Sequence, residues 1–253
     1  MNKFMLIIAS LIILLNASCI RKNRFAVIIS ADMEWKSLKK VYPDEDYRKS
    51  LWGEYFHKKI NKQQVLFFHE GWGKVSAAGA TQYIIDKYNP DILINLGTCG
   101  GFEGEIERFD IVLANKTVIY DISEAMGDSK EAIADYTTQI DLNWIGNELT
   151  SKVRKTVLVS ADKDLRINEI EQLKDEYDAV AGDWESGAIA YVAQRNKKKI
   201  LIFRGVSDIV SNHQGEVYGN FSLFAQRTDT VMTKLLIELP KWIDFLDKKE
   251  KEQ

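Results

Sequence analysis

The residues able to do chemistry stand where short apolar runs end. Ser30-Ala31-Asp32-Met33-Glu34-Trp35 follows the run Phe25–Ile29, and His69-Glu70-Gly71-Trp72-Gly73-Lys74 follows Val65–Phe68. Gly97-Thr98-Cys99-Gly100-Gly101 follows Asp91–Leu96, and Arg204-Gly205-Val206-Ser207-Asp208 follows Lys199–Phe203. Gly182-Asp183-Trp184-Glu185 opens the helix that precedes this last run. Carboxylates at such ends suit acid–base work and the gripping of hydroxyls. Glycines there let backbone amides approach a ligand closely. Familiar alternatives fail. Gly97-Thr98-Cys99-Gly100-Gly101 is neither the dinucleotide fingerprint nor a P-loop, and Gly73-Lys74 is followed by Val75 rather than Ser or Thr. His69-Glu70 lacks the second histidine of a zinc helix, and His57 and His213 have no ligand-like spacing to it, so neither metal nor cofactor is expected. Cys99, without a partnering base, is expected to be a small packed side chain rather than a nucleophile.

The elements that must position these residues can be read from patterning. Val157–Ser160 and Asp110–Ala114 join the four runs above as strand candidates. Runs of this kind without alternation suit strands buried on both faces of a sheet. Helical stretches lie between them: Gly73–Tyr88 closed by Asn89-Pro90, Arg166–Glu176, Glu185–Arg195, and a long carboxy-terminal one from about Phe221. In the last, Phe224, Val231, Leu235 and Leu236 keep three-to-four spacing, and Pro240 should kink or stop it. Strands alternating with helices predict an α/β fold with a largely parallel sheet and a site at the carboxyl ends of its strands.

Composition narrows the function classes. The 253 residues are 45% apolar and 28% charged, with only three prolines and fifteen glycines, which suits an ordinary globular chain without long linkers. Thirty-four basic against thirty-seven acidic residues give a formal charge of −3, which argues against nucleic acid as a partner. Two cysteines can build neither a disulfide framework nor a four-thiolate site.

The first residues read as an address. Met-Asn-Lys precedes the uncharged run Phe4–Leu15, followed by Asn16-Ala17-Ser18-Cys19 and the polar Ile20-Arg21-Lys22. A positive start, a short apolar core and small residues before a cut are the parts of a secretory signal. At ~1.5 Å per residue such a run spans about 18 Å, short of a ~30 Å hydrocarbon core. Leu15-Asn16-Ala17-Ser18-Cys19 resembles a bacterial lipoprotein signal, although Asn16 departs from the aliphatic preference. The expected division is a signal over 1–19, a tether over 20–24, a catalytic domain over 25–247 and a charged tail over 248–253. The protein is expected outside the cytoplasm, periplasmic or held to a membrane by lipid on Cys19.

Taken in order, strand–Gly97-Thr98-Cys99-Gly100-Gly101, then Phe109-Asp110-Ile111-Val112, then Asp183-Trp184-Glu185, then Arg204-Gly205-Val206-Ser207-Asp208 resembles the purine nucleoside and uridine phosphorylase superfamily. Within it the chain is most similar to the methylthioadenosine/S-adenosylhomocysteine nucleosidases. The resemblance implies a single α/β domain with a mixed, mostly parallel, partly closed sheet flanked by helices, and a homo-oligomer with a dimer favoured. It also implies roles. Asp208 matches the general acid that protonates the leaving purine, with Ser207 beside it. Glu185 matches the glutamate that grips the ribose hydroxyls, Trp184 stands where a methionine contacts the sugar, and Glu34 best matches the glutamate that activates water. Thr98, Asn95 and Gly97 lie around the nucleophile pocket, and Leu165 falls in the purine loop. Alone, Asp208 could cap a helix, Glu185 could be a first-turn glutamate and Glu34 an exposed helix start.

The implied chemistry is cleavage of an N-ribosyl bond through an oxocarbenium-like sugar, with one acid for the leaving group and one base for water. Phosphorylases of the superfamily hold phosphate with arginines, one of them where Asn95 stands here; without paired guanidinium groups a dianionic phosphate has little to bind it. Hydrolysis of a purine nucleoside, adenine-type such as methylthioadenosine or S-adenosylhomocysteine, is therefore expected. A phosphate-dependent phosphorylase and a non-catalytic nucleoside-binding relative are the alternatives. Asp164 departs from the resemblance, falling where an aromatic normally stacks on the base, and Tyr120-Asp121-Ile122 lacks the histidine often seen after the matching tyrosine.

Overall fold

The computed structural model describes residues 23–146 and 152–252. The expected signal segment 1–19 with Cys19, and residues 20–22 of the tether, lie outside the described residues. The chain runs β1 (Phe25–Ile29), α1 (Asp32–Val41), β2 (Arg48–Lys49), β3 (Glu54–Ile60), β4 (Gln63–His69), α2 (Gly73–Tyr88) and β5 (Ile92–Phe102). It continues through β6 (Ile111–Ile119), α3 (Ser129–Asp135), β7 (Thr138–Gln139), β8 (Arg154–Ser160), α4 (Ile170–Tyr177), β9 (Ala179–Asp183), α5 (Ser186–Arg195), β10 (Lys199–Val210) and α6 (Phe221–Lys251).

One mixed sheet organises the fold. Strand β1 pairs in parallel with β4 and β5, and β5 pairs in parallel with β10 along eleven positions from Ile92–Lys199 to Phe102–Val210. Strand β10 also pairs with β6, β6 with β8, β8 with β9, and β9 back with β5. Those five strands close a ring, and β1, β4, β3 and β2 extend from it as an open wing. The partly closed sheet is thus a direct consequence of β5 changing partners along one edge, from β1 at Ile92–Asn95 to β9 at Gly100 and Gly101, while β10 pairs along the other.

The apolar runs form strands as expected, because Phe25–Ile29 and Ile92–Ile94 are fully buried on both faces. Two expectations change. The Gly97-Thr98-Cys99-Gly100-Gly101 and Arg204-Gly205-Val206-Ser207-Asp208 segments do not follow the strands; they are the outer halves of β5 and β10. Their glycines allow the two strands to pack side chains from neighbouring elements across them, and a bulge between Val206 and Asp208 shifts the register of the pair by one residue. Nor does Pro240 stop the last helix, which continues from Phe221 to Lys251. Interior proline costs ~3 kcal/mol, but Leu235, Leu236, Leu239, Trp242, Ile243 and Leu246 are buried on either side of it. Their burial, at roughly 1.5–3 kcal/mol per large apolar side chain, outweighs that cost.

Leu239 is 1% exposed, one residue before the proline. Leu239→Ala is expected to destabilise the domain by about 2–5 kcal/mol, read as a lowered urea midpoint with an unchanged slope.

Candidate active site

The site is built where β1, β5, β9 and β10 end beside one another. A cleft of about 900 Å³ is lined by Glu34, Thr98, Trp184, Glu185, Asp208 and Tyr218 among others. Behind it lies Arg204, a fully buried arginine in the middle of β10.

Arg204 gathers the carboxylates. Its Nε is 2.8 Å from Asp183 Oδ2 and donates to Ser186 Oγ at 3.0 Å. Its Nη2 donates to Asn95 Oδ1 at 2.8 Å and lies 3.7 Å from Glu185 Oε2, while Nη1 lies 3.7 Å from Glu34 Oε1. Burial alone would pull the guanidinium pKa down; Asp183, Glu34 and Glu185 outweigh it, so the group is held firmly protonated. A Cβ on Gly97 would overlap Arg204 Nη1 and come within 2.8 Å of Glu34 Oε1, so only glycine lets the guanidinium lie across β5.

Each carboxyl has its own support. Glu34 sits on the first turn of α1, 2% exposed, which removes the reading of an exposed helix start. Its Oε1 accepts from the Thr98 amide at 2.6 Å and the Thr98 hydroxyl at 2.8 Å, and its Oε2 from the Ala31 amide at 3.2 Å. Glu185 occupies the N-cap position of α5 without making a side-chain cap bond. Its Oε1 accepts from the Gly73 amide at 3.2 Å. Burial lifts its pKa well above the carboxylate range, against the pull of Arg204. Asp208 is 5% exposed. Burial pushes its pKa from 3.8 to about 6; the Ser207 hydroxyl, 2.7 Å from Oδ1, opposes the shift and Glu216 adds to it. An aspartic acid that keeps its proton near neutrality can donate it.

The expected site residues divide accordingly. Glu34, Thr98, Trp184, Glu185, Ser207, Asp208 and Leu165 all line the cleft. Asn95 and Gly97 do not; Asn95 is fully buried behind the cleft, its Nδ2 donating to the Ile28 carbonyl at 3.0 Å, and acts through Arg204. Four participants carried no assigned role in the sequence: Arg204, Asp183, Glu70 and Tyr218. Glu70 is fully buried, takes the Ser30 hydroxyl at 2.6 Å, and is pushed up by burial against that bond. An arginine inside an apolar strand run was the available signal for Arg204. Among the described residues no group of histidine, cysteine and carboxylate side chains could hold a metal ion.

A family model described as the phosphorylase superfamily matches residues 24–239. The chain belongs to the phosphorylase superfamily. Similar members include the 5'-methylthioadenosine/S-adenosylhomocysteine nucleosidase of Buchnera aphidicola subsp. Acyrthosiphon pisum, 28% identical over 201 residues, which are 75% of this chain and 87% of that protein. The nucleosidase of the same description from Thermotoga maritima is 28% identical over 160 residues, covering 63% of this chain and 72% of that one. The fold is shared with the Campylobacter jejuni nucleosidase at a TM-score of 0.68 and 17% identity, covering 86% of this chain and 99% of that one. It is shared too with the Streptococcus pneumoniae nucleosidase bound to a transition-state inhibitor, at 0.67 and 21% identity over 86% and 98%. The superfamily fold is therefore the frame on which Arg204 collects its carboxylates.

Asp208 has a cost in stability. Its folded pKa lies above its ordinary 3.8, so its contribution is most favourable below about pH 4 and is lost as pH rises through about 6. Asp208→Asn should thus be more stable than wild type by roughly 2–3 kcal/mol at pH 7.5, with the gap vanishing near pH 4. Urea unfolding of both proteins at the two pH values measures it.

Proposed function

We propose that the protein hydrolyses the N-ribosyl bond of purine nucleosides to free base and free sugar, with adenine-type substrates such as methylthioadenosine or S-adenosylhomocysteine. The observation that carries this reading is the convergence of Glu34, Glu185 and Asp208 on one cleft. Asp208, with its proton retained by burial, protonates the leaving base. Glu185 takes the ribose 2′- and 3′-hydroxyls. Glu34, fixed by Thr98 and Ala31, draws the proton from an attacking water on the other side of the sugar. Relatives described as 5'-methylthioadenosine/S-adenosylhomocysteine nucleosidases support the same reading.

Water rather than phosphate is favoured by where the guanidinium goes. Arg204 is committed to Asp183, Glu34 and Glu185, and no arginine lines the cleft among the described residues. A phosphate dianion would meet several carboxylates and no paired guanidinium groups. The buried, fixed Glu34 also distinguishes a hydrolase from a nucleoside-binding module, which needs no base for water.

Incubation with methylthioadenosine in phosphate-free buffer should release adenine and free methylthioribose, and Asp208→Asn should lower kcat by ~10²–10⁴-fold. Strictly phosphate-dependent turnover to a sugar 1-phosphate would replace the hydrolase with a phosphorylase.

Export, lipidation at Cys19 and a homodimer complete this proposal. The amino-terminal residues Lys3, Phe4–Leu15 and Ala17-Ser18-Cys19 support the first two. Leu51, Trp52, Trp72 and Val75, apolar and exposed, support self-association. Mass spectrometry of the native protein should find a mature chain beginning at an acylated Cys19, with Cys19→Ser leaving the membrane fraction. An intact Met1 on a cytoplasmic protein overturns export and lipidation together.

A further inference from the structure

We propose that Glu70 is a positioning residue for the ribose grip: buried at the start of the turn Glu70–Gly73, it sets the place and the charge of Glu185, an assignment that rests on the nucleoside reading above. Glu70 directly follows β4, is fully buried and does not line the cleft. Its amide donates to the Ile29 carbonyl at 3.0 Å, its Oε1 lies 2.6 Å from Ser30 Oγ, and its Oε2 lies 3.4 Å from Thr81 Oγ1. The end of β1, the turn and α2 thus meet at one carboxyl. Three residues on, the same turn brings the Gly73 amide to Glu185 Oε1 at 3.2 Å. Gly71 and Gly73 take φ of 86° and 83°, open to glycine, which lets the chain pass from β4 into α2 within that distance. A turn this short passes any displacement of Glu70 on to the amide that holds Glu185.

Charge makes the second link. Asp183, Glu34 and Glu185 lie within 3.7 Å of the Arg204 guanidinium, and Glu70 adds a fourth buried carboxyl to the field of Glu185 and Arg204. One cation cannot balance four carboxylates away from water, so the group must hold a proton. The partners decide where. Glu34 faces the amides of Thr98 and Ala31, Glu185 the Gly73 amide, and Asp183 the Arg204 Nε and the Ser186 amide, none of which can accept a hydrogen bond. Glu70 faces the hydroxyls of Ser30 and Thr81, each able to accept as well as donate. Burial raises the Glu70 pKa; the charge of Glu185 adds to the rise, and the Ser30 hydroxyl and Arg204 oppose it. A neutral Glu70 leaves Glu185 as the member of the pair that carries charge, which is the form that binds two ribose hydroxyls most strongly. A charged Glu70 would repel Glu185 and loosen that grip.

Steady-state kinetics with methylthioadenosine and its 2′-deoxy analogue test this. Glu70→Ala should raise KM for methylthioadenosine about 10- to 100-fold, the range for a hydrogen bond to a charged group. For the 2′-deoxy analogue, which offers Glu185 one hydroxyl fewer, the loss should shrink to about threefold or less. Glu70→Gln, neutral and of the same shape, should recover most of what Glu70→Ala loses at neutral pH. The ratio of wild-type KM to Glu70→Gln KM should then rise about tenfold between about pH 7 and 10, because only wild type can ionise at this position. Equal losses for the two substrates, or a ratio that stays flat with pH, overturns the role of Glu70 alone. The pH ratio decides the matter by itself if Glu70→Ala does not fold. Wild type that cleaves neither nucleoside at any pH overturns the nucleoside reading and the role of Glu70 with it.

Discussion

A single buried cation governs the site. Arg204 has no access to water, and an isolated charge in that position would be prohibitively costly. It is stable there only because Asp183, Glu34 and Glu185 surround it, supplied by three different elements. The dependence is mutual: those carboxyls are themselves buried, and the guanidinium offsets part of their desolvation. Asp183 is held besides by the Ser160 hydroxyl at 2.6 Å and the Ser186 amide at 3.2 Å, so the cluster links the ends of β8, β9, β10 and α1. Removing any one partner would leave the rest unbalanced.

Strand pairing prepares the space for that cluster. The β5–β10 ladder runs the full length of both strands, and Gly97 is the point at which β5 yields to the guanidinium. Further along, the bulge leaves Ser207 outside the register and turns the chain so that Asp208 enters the cleft beside it. Pre-aimed groups of this sort need no reorganisation when charge develops on a substrate, which is the main source of electrostatic catalysis.

Much of this was legible beforehand, for identifiable reasons. Strands buried on both faces leave continuous apolar runs, so β1, β4, β5, β8 and β10 could be placed, and α2 was bounded by Asn89 in the left-handed region ahead of Pro90. Glu34, Glu185 and Asp208 were visible because each follows or flanks such a run. Lengths were less legible. Glycine-rich stretches read as lying beyond the strand ends, yet here they are strand, because pairing on both edges overrides local preference. Short strands such as β2 and β7 have no pattern to see. Arg204 carried no role because its meaning lies in three carboxyls distant in sequence, and Tyr218 because only the folded loop brings it to Leu165.

The parallel core also gives the domain two poles. β1 enters at Arg24, whose guanidinium is bound to Asp247 and lies 3.7 Å from Glu250 at the far end of α6. It leaves at Ser30, beside the carboxyl cluster, about 20 Å away at ~3.3 Å per residue. The chain that precedes Arg24 therefore joins the domain on the side opposite the cleft mouth. Any surface to which that end were moored would lie beneath the domain, leaving the cleft facing outward to ligands arriving from bulk solvent.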